Sequence, residues 1–296
     1  MKIGIVGGGA IGLLLGYYFS ENHDVTVYTR SVEQAEKISE NGLFLEKNQK
    51  QHVRHVKAST FPSDNLVENE LLIIALKQYQ LHQIIPYLQS IDCPLLFVQN
   101  GMGHLEYCKN LAENHEVYVG VVEHGAVKNG TNSVIHKGDG VVKIASFSGN
   151  ITYLKNLQQL KEFPVIFEED YYKMLEKKLI VNTMINPLTA VLQVENGTLI
   201  HNPYFLQLFN EYFDELVHIL QIENQEEVKR HVHEVCKNTA KNRSSMLRDL
   251  EEGRLTEIDA ILGYVLQLAK KQNKNAPITN HLYLMVKGKE CYKKED

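Results

Sequence analysis

The chain has 296 residues, 44% of them hydrophobic and 23% charged, which is too long for one compact core, suits two domains and excludes disorder. A net charge of −5 leaves no electrostatic footprint for nucleic acid or an anionic membrane surface, so neither is an expected partner. The four cysteines, Cys93, Cys108, Cys236 and Cys291, form no CxxC pair and are too sparse for a disulfide scaffold, which fits a reducing cytoplasm.

Residues 3–6 read as a buried strand, and Gly7, Gly8, Gly9, Ala10, Ile11 and Gly12 follow as GGGAIG before the helical run 13–18. Gly7 permits a tight turn, Gly9 lets a pyrophosphate approach the backbone, and Gly12 lets the helix pack against the strand. The helix N-terminus supplies free N–H groups for phosphate. Glycine turns of this kind also serve packing alone, so it is the strand-turn-helix context that predicts a dinucleotide. The next strand, 24–28, leads into Thr29 and Arg30 with no carboxylate at its end, where an NAD site carries one. A guanidinium donates paired, charge-assisted hydrogen bonds to a 2′-phosphate, which predicts NADP(H); a solvated loop charge is the alternative.

Residues 3–19 imitate a secretory signal, but their glycine cluster and the lack of a small-residue cleavage site favour strand plus helix. No segment approaches the roughly 18 apolar residues of a membrane span. Apolar runs at 71–76, 95–98, 117–122 and 141–144 suit strands of a parallel or mixed sheet covered on both faces. From about residue 169 the pattern turns helical, with Phe205, Leu208, Phe209, Tyr212, Phe213, Leu216, Ile219 and Leu220 on one stripe. The expected fold class is therefore α/β: a Rossmann-type dinucleotide-binding domain over 1–168, then an all-α domain over 169–296. The mixed charges of 287–296 predict a helix end with a solvated tail.

At helical pitch Lys178, Asn182 and Asn186 fall along one face, bordered by apolar residues. Buried without a ligand, each polar group of that stripe would cost on the order of 1–3 kcal/mol, so a polar occupant is expected beside it. A solvated face ending at the helix-breaking Pro187 is an equal alternative. Thr256, Glu257, Ile258 and Asp259 open a helix over 261–271 and, taken singly, read as an acidic first turn. Asn100, after the strand 95–98, stands at the edge where open α/β sheets bind ligands and could face a nicotinamide. His231-x-His233 and His52-x-x-His55 lack complete ligand sets, so no metal is expected. No Gly-x-Ser-x-Gly elbow or P-loop supports a hydrolase or NTPase.

These pieces together resemble the 2-dehydropantoate 2-reductase, or ketopantoate reductase, family. The matching residues are GGGAIG, Leu76-Lys77, Gln99-Asn100-Gly101, Gly125-Ala126, His136-x-Gly138-x-Gly140, Lys178-Leu179-x-x-Asn182-x-x-x-Asn186-Pro187-Leu188-Thr189-Ala190, Ser244-Ser245-Met246-Leu247-x-Asp249 and Thr256-Glu257-Ile258-Asp259, in the family's order over nearly the whole chain. One departure is Leu262, where relatives often carry Asn. The resemblance implies NADPH-dependent reduction of 2-dehydropantoate to (R)-pantoate, towards pantothenate and coenzyme A. It makes Lys178 the general acid, with Glu257 beside it. Asn182, Asn186 and Ser245 become the groups for the substrate's hydroxyl and carboxylate, and Lys77 and Asn100 stand where cofactor meets substrate. A cleft between the two domains follows from this division. The rivals are a related dehydrogenase of another 2-oxo or hydroxy acid, and a non-catalytic NADP(H)-sensing regulator. An apolar helical face serves as core or interface, so a homodimer is left open.

Overall fold

A computed structural model describes residues 1–292, the side chains of Asp64 and Gln159 excepted; the last residues of the expected tail, 293–296, lie outside the described residues. Among the described residues the strands form two sheets. The first holds β1 (Lys2–Val6), β2 (Asp24–Thr29), β5 (Lys57–Thr60), β6 (Leu71–Ile74), β7 (Leu95–Phe97), β8 (Val117–Val122), β11 (Val142–Ser148) and β12 (Val165–Glu168) in the order β5-β2-β1-β6-β7-β8-β11-β12. Strands β5 to β8 of that order run parallel, with Ile5 opposite Val27 on one side and Ile73 on the other. β11 pairs antiparallel with β8, and β12 runs parallel to β11. The second sheet, β4-β3-β10-β9, was not expected from sequence: β3 (Leu43–Lys47), β4 (Lys50–Arg54), β9 (Gly125–Lys128) and β10 (Ser133–Gly138).

The helix after the glycine turn, α1 (Ala10–Phe19), explains why a second sheet is needed. Residues 12–19 are all buried, and a helix apolar all round must be covered on every side. It packs on β1 and β2 with one face and on β3, β9 and β10 with the other. The chain continues through α2 (Val32–Asn41), α3 (Leu81–Leu88) and α4 (Leu105–Leu111) to α5 (Tyr171–Leu192).

Two compact units result: Met1–Gln99 with His104–Leu175, and Asn100–Gly103 with Glu176–Asp296. The division falls inside α5 rather than before it, and the tetrapeptide after β7 clusters with the second unit. Among its described residues that unit has helices and no strand, adding α6 (Thr198–His201), α7 (Pro203–Leu220), α8 (Gln225–Asn238), α9 (Ser245–Glu251), α10 (Tyr264–Lys271) and α11 (Pro277–Cys291). α7 buries Phe209, Tyr212, Phe213, Leu216, Ile219 and Leu220, the stripe read from sequence, while Phe205 and Leu208 stay half-buried. Glu215 on α7 caps α11, accepting from the N–H groups of Ile278 and Thr279 at 2.8 Å and from the Thr279 hydroxyl at 2.6 Å. Its charge meets the positive end of the helix dipole there.

Candidate functional site

In the first unit the glycine turn from β1 into α1 is crowded on one side and open on the other. Gly7 has φ +125°, a conformation L side chains rarely adopt, and a Cβ on Gly12 would overlap the Gly7 carbonyl oxygen. A Cβ on Gly9, by contrast, would meet nothing within 4 Å, so the turn is open on that side. Gly9 is the N-cap of α1 and supplies no side-chain cap, and no acidic residue stands in the first turn. The first N–H groups of the helix and its positive dipole end therefore get no carboxylate from the helix's own first turn. Gln34, which the sequence did not single out, holds the turn by donating to the Gly8 carbonyl at 2.8 Å and to that of Thr131 at 2.7 Å.

Arg30 is exposed directly after β2, at the carboxyl edge of the parallel strands. Lys77 is half-buried after β6. Gln99, which the sequence singled out only within the run Gln99-Asn100-Gly101, ties the ends of β6 and β7 together: its buried amide donates to the carbonyls of Ile74 at 2.7 Å and Leu76 at 3.0 Å.

The second unit carries the polar stripe. Lys178 is half-buried whereas Lys177 is exposed, and Asn182 and Asn186 are each 8% exposed. Among the described residues neither amide hydrogen-bonds to the protein. α5 does not break at Pro187 but runs on to Leu192, buried around the proline, and just beyond it the Thr189 hydroxyl bonds back to the carbonyls of Ile185 at 2.8 Å and Asn186 at 3.1 Å. The Thr189 and Ser244 hydroxyls are hydrogen-bonded to each other at 2.8 Å, and Ser244 caps α9 by accepting from Leu247 N–H at 3.1 Å. Ser244 is thus a buried structural cap, and Ser245 is exposed at the first helical position.

Asn100 and Glu257, 157 residues apart, meet in this unit: Asn100 Nδ2 donates to Glu257 Oε2 at 2.8 Å. Gly101 has φ +77°, and a Cβ there would overlap the Ala260 carbonyl oxygen, so glycine alone lets the two backbones approach. The helix expected at 261 begins two residues earlier with a π turn, Asp259–Gly263, of the kind that recurs at functional sites. Leu262, in that turn, is fully buried.

Neither histidine pair noted in the sequence belongs to a three-ligand cluster among the described residues; His124, His136 and Asp139 do, with ligand atoms within 4.8 Å of one another. The imidazole lone pairs are already used. Gly140 N–H donates to His124 Nδ1 at 3.1 Å, so that nitrogen is unprotonated and accepts from His136 Nε2 at 3.1 Å as well. His136 Nδ1 accepts from the Tyr18 hydroxyl at 2.8 Å, and Asp139 pairs with Lys47 at 2.6 Å. Burial pushes His124 down to about 4 and also lowers His136, so both imidazoles are neutral near neutral pH.

A doubly wound sheet with an uncapped glycine turn, joined to a helical unit that carries an amine, two buried amides and a carboxylate, defines a dinucleotide-dependent oxidoreductase. The chain belongs to the ketopantoate reductase family: residues 3–149 match the family described as ketopantoate reductase PanE/ApbA, and 170–290 its C-terminal part. It is 42% identical, over 98% of both chains, to the 2-dehydropantoate 2-reductase of Bacillus subtilis (strain 168) and 38% identical, over 98% and 97%, to that of Listeria monocytogenes. A solved structure of the probable B. subtilis enzyme matches with TM-score 0.88 over 98% of this chain and 100% of that one. A Staphylococcus aureus ketopantoate reductase described as dimeric shares the fold, with TM-score 0.79 at 21% identity over 98% and 99%.

Proposed function

We propose that this chain reduces the 2-oxo group of 2-dehydropantoate to (R)-pantoate with NADPH, a step towards pantothenate and coenzyme A, with residues 1–168 as cofactor domain and 169–296 as catalytic domain. The observation that carries the reading is the stripe on α5, where the amides of two largely buried asparagines, neither hydrogen-bonded to protein among the described residues, follow a lysine at one-turn intervals. An apolar ligand would leave those amides unsatisfied; a hydroxy-oxo-acid would not.

The open turn of Gly7, Gly8, Gly9, Ala10, Ile11 and Gly12 fits a pyrophosphate, and Arg30 fits a 2′-phosphate. Bound there, NADPH supplies the hydride equivalent. Lys178 donates the proton: negative charge develops on the keto oxygen as it is reduced, and the ammonium stabilises that oxygen and transfers a proton from Nζ. Asn182, Asn186 and Ser245 hydrogen-bond the substrate's hydroxyl and carboxylate. Glu257, held by Asn100, orients the amine and keeps it charged. Asn100 and Lys77 also serve the cofactor. The reading includes a cytoplasmic location and a homodimer, the state described for the S. aureus relative, which light scattering tests.

An NADPH oxidation assay decides between the readings. 2-Dehydropantoate is expected to turn over and 2-oxoisovalerate, which lacks the CH₂OH group, to be strongly rejected. Asn182→Ala should lose most kcat/KM for the former and much less for the latter, collapsing their ratio. A parallel fall reassigns Asn182 to positioning Lys178. A wild-type preference for 2-oxoisovalerate overturns the substrate, and no turnover of either leaves the sensor reading.

A further inference from the structure

Glu257 sits in the non-helical stretch between α9 and the π turn, and α11 grips that stretch on both sides of it. Glu290, in the last turn of α11, accepts from the Thr256 backbone N–H at 2.8 Å and from its hydroxyl at 2.6 Å. The Thr256 hydroxyl oxygen in turn accepts from Ile258 N–H at 3.2 Å. The other Glu290 oxygen pairs with Lys287 at 2.9 Å, and the Glu290 side chain is only 3% exposed. Beyond Glu257 in sequence, Asp259 receives Lys287 at 3.1 Å on one oxygen and the Tyr283 hydroxyl at 2.7 Å on the other.

A carboxylate this buried is costly unless it is paired and hydrogen-bonded, and here every donor comes from Lys287 or from the residue next to Glu257. Burial opposes the charge on Lys287, but its hydrogen bonds to Glu290 and Asp259 outweigh that and hold its pKa above the ordinary lysine value. Attaching α11 to the fold needs none of this. Thr279, Leu282 and Val286 bury its inner face, and Glu215 caps its start.

We propose that Glu290 is a positioning residue for Glu257. Together with Lys287 and Tyr283 it clamps the backbone at Thr256 and Asp259, so that the Glu257 carboxylate stays aimed at Asn100 and the reacting groups. The inference rests on the role given above to Glu257, and the test separates the two.

The full-length protein, in wild-type form and as Glu290→Ala, Glu290→Gln, Glu257→Gln and the double variant Glu257→Gln/Glu290→Ala, is assayed for NADPH oxidation with 2-dehydropantoate, for NADPH binding by fluorescence and for thermal melting. Loosening a catalytic group by about 1 Å costs on the order of 10²-fold, so Glu290→Ala is expected to lower kcat/KM about 10- to 100-fold while the NADPH Kd stays within about twofold. Gln keeps an acceptor for Thr256 and is expected to recover all but about fivefold. In the Glu257→Gln background, Glu290→Ala should cost less than about twofold, because its effect passes through Glu257. Wild-type kinetics for Glu290→Ala beside an impaired Glu257→Gln overturn the clamp, and so do losses that simply add in the double variant. An unimpaired Glu257→Gln overturns the reading of Glu257 itself. Should Glu290→Ala fail to fold, Tyr283→Phe removes a single hydroxyl from the Asp259 side and is expected to cost about two- to fivefold in kcat/KM with unchanged melting; no loss there overturns the proposal.

Discussion

Lys178 and Lys177 differ by one position and by about 100° around α5, and that difference separates the proposed proton donor from its neighbour. One is half-buried on the face of the two amides; the other is exposed. A general acid is worth roughly 10²–10⁴-fold, so Lys178→Ala should lose that much kcat with NADPH affinity nearly unchanged, while Lys177→Ala keeps wild-type rates. Equal losses in steady-state kinetics would remove the specific role. At Arg30 the expectation is about cofactor choice. A hydrogen bond between charged groups contributes roughly 1.5–3 kcal/mol, so Arg30→Ala should cut the NADPH-over-NADH preference about ten- to a hundredfold and leave NADH kinetics in place. A wild-type protein that uses both cofactors equally sinks the argument. The residue types of the stripe could be read from spacing alone, but the bond from Asn100 to Glu257 could not, because nothing local links positions 157 apart. Gln34 and Glu290 were equally hidden, since they bond to backbone groups of distant segments.

Among the elements, those with continuous apolar runs were legible, and those that lean on a neighbour were not. β6, β7 and β8 are buried along almost their whole length and read as strands directly. β4 is Lys-Gln-His-Val-Arg, exposed over four of its five residues, and its hairpin to β3 turns through Asn48 and Gln49, both with positive φ. The usual signal for such a turn has Gly at the second position, so the sequence gives little warning of it. The whole second sheet exists to cover α1, a requirement visible only once the all-round apolar character of that helix is taken seriously. The glycine turn that starts α1 separates packing from binding. Gly12→Ala drives a Cβ into backbone and should destabilise the fold as well as abolish NADPH binding. Gly9→Ala faces open space at an ordinary φ of −82°, so its melting temperature should stay within about 2 °C of wild type. If phosphate approaches there, NADPH affinity nonetheless falls about tenfold or more. Unchanged titration of NADPH fluorescence by Gly9→Ala would move the pyrophosphate elsewhere.

At the scale of the whole molecule, the histidines link stability to pH. His23, His104, His124, His136 and His233 are all lowered from their ordinary value of 6.5, in each case first by burial. His104, fully buried against Phe97, and His124, near His136, Lys47 and Asp139, each fall to about 4. A group whose folded pKa is depressed leaves the unfolded chain binding more protons, so stability is fully present above 6.5 and is lost as pH falls towards 4. For a shift of that size the loss by about pH 5 is roughly 2 kcal/mol per histidine. Asp139, lowered by its hydrogen bond to Lys47, acts with the same sign at lower pH. Urea midpoints should therefore drop steeply between about pH 7 and pH 5 at constant m, a range where an ordinary carboxylate is still ionised. His104→Leu tests the assignment most cleanly, because both His104 ring nitrogens are buried without a partner and no charge faces them. The variant loses no hydrogen bond, and its midpoint should fall less between the two pH values than that of wild type, by about one buried histidine's share. Equal slopes in the two proteins would mean that His104 takes up its proton in the folded state, which requires water to reach a site that the packing around Phe97 closes.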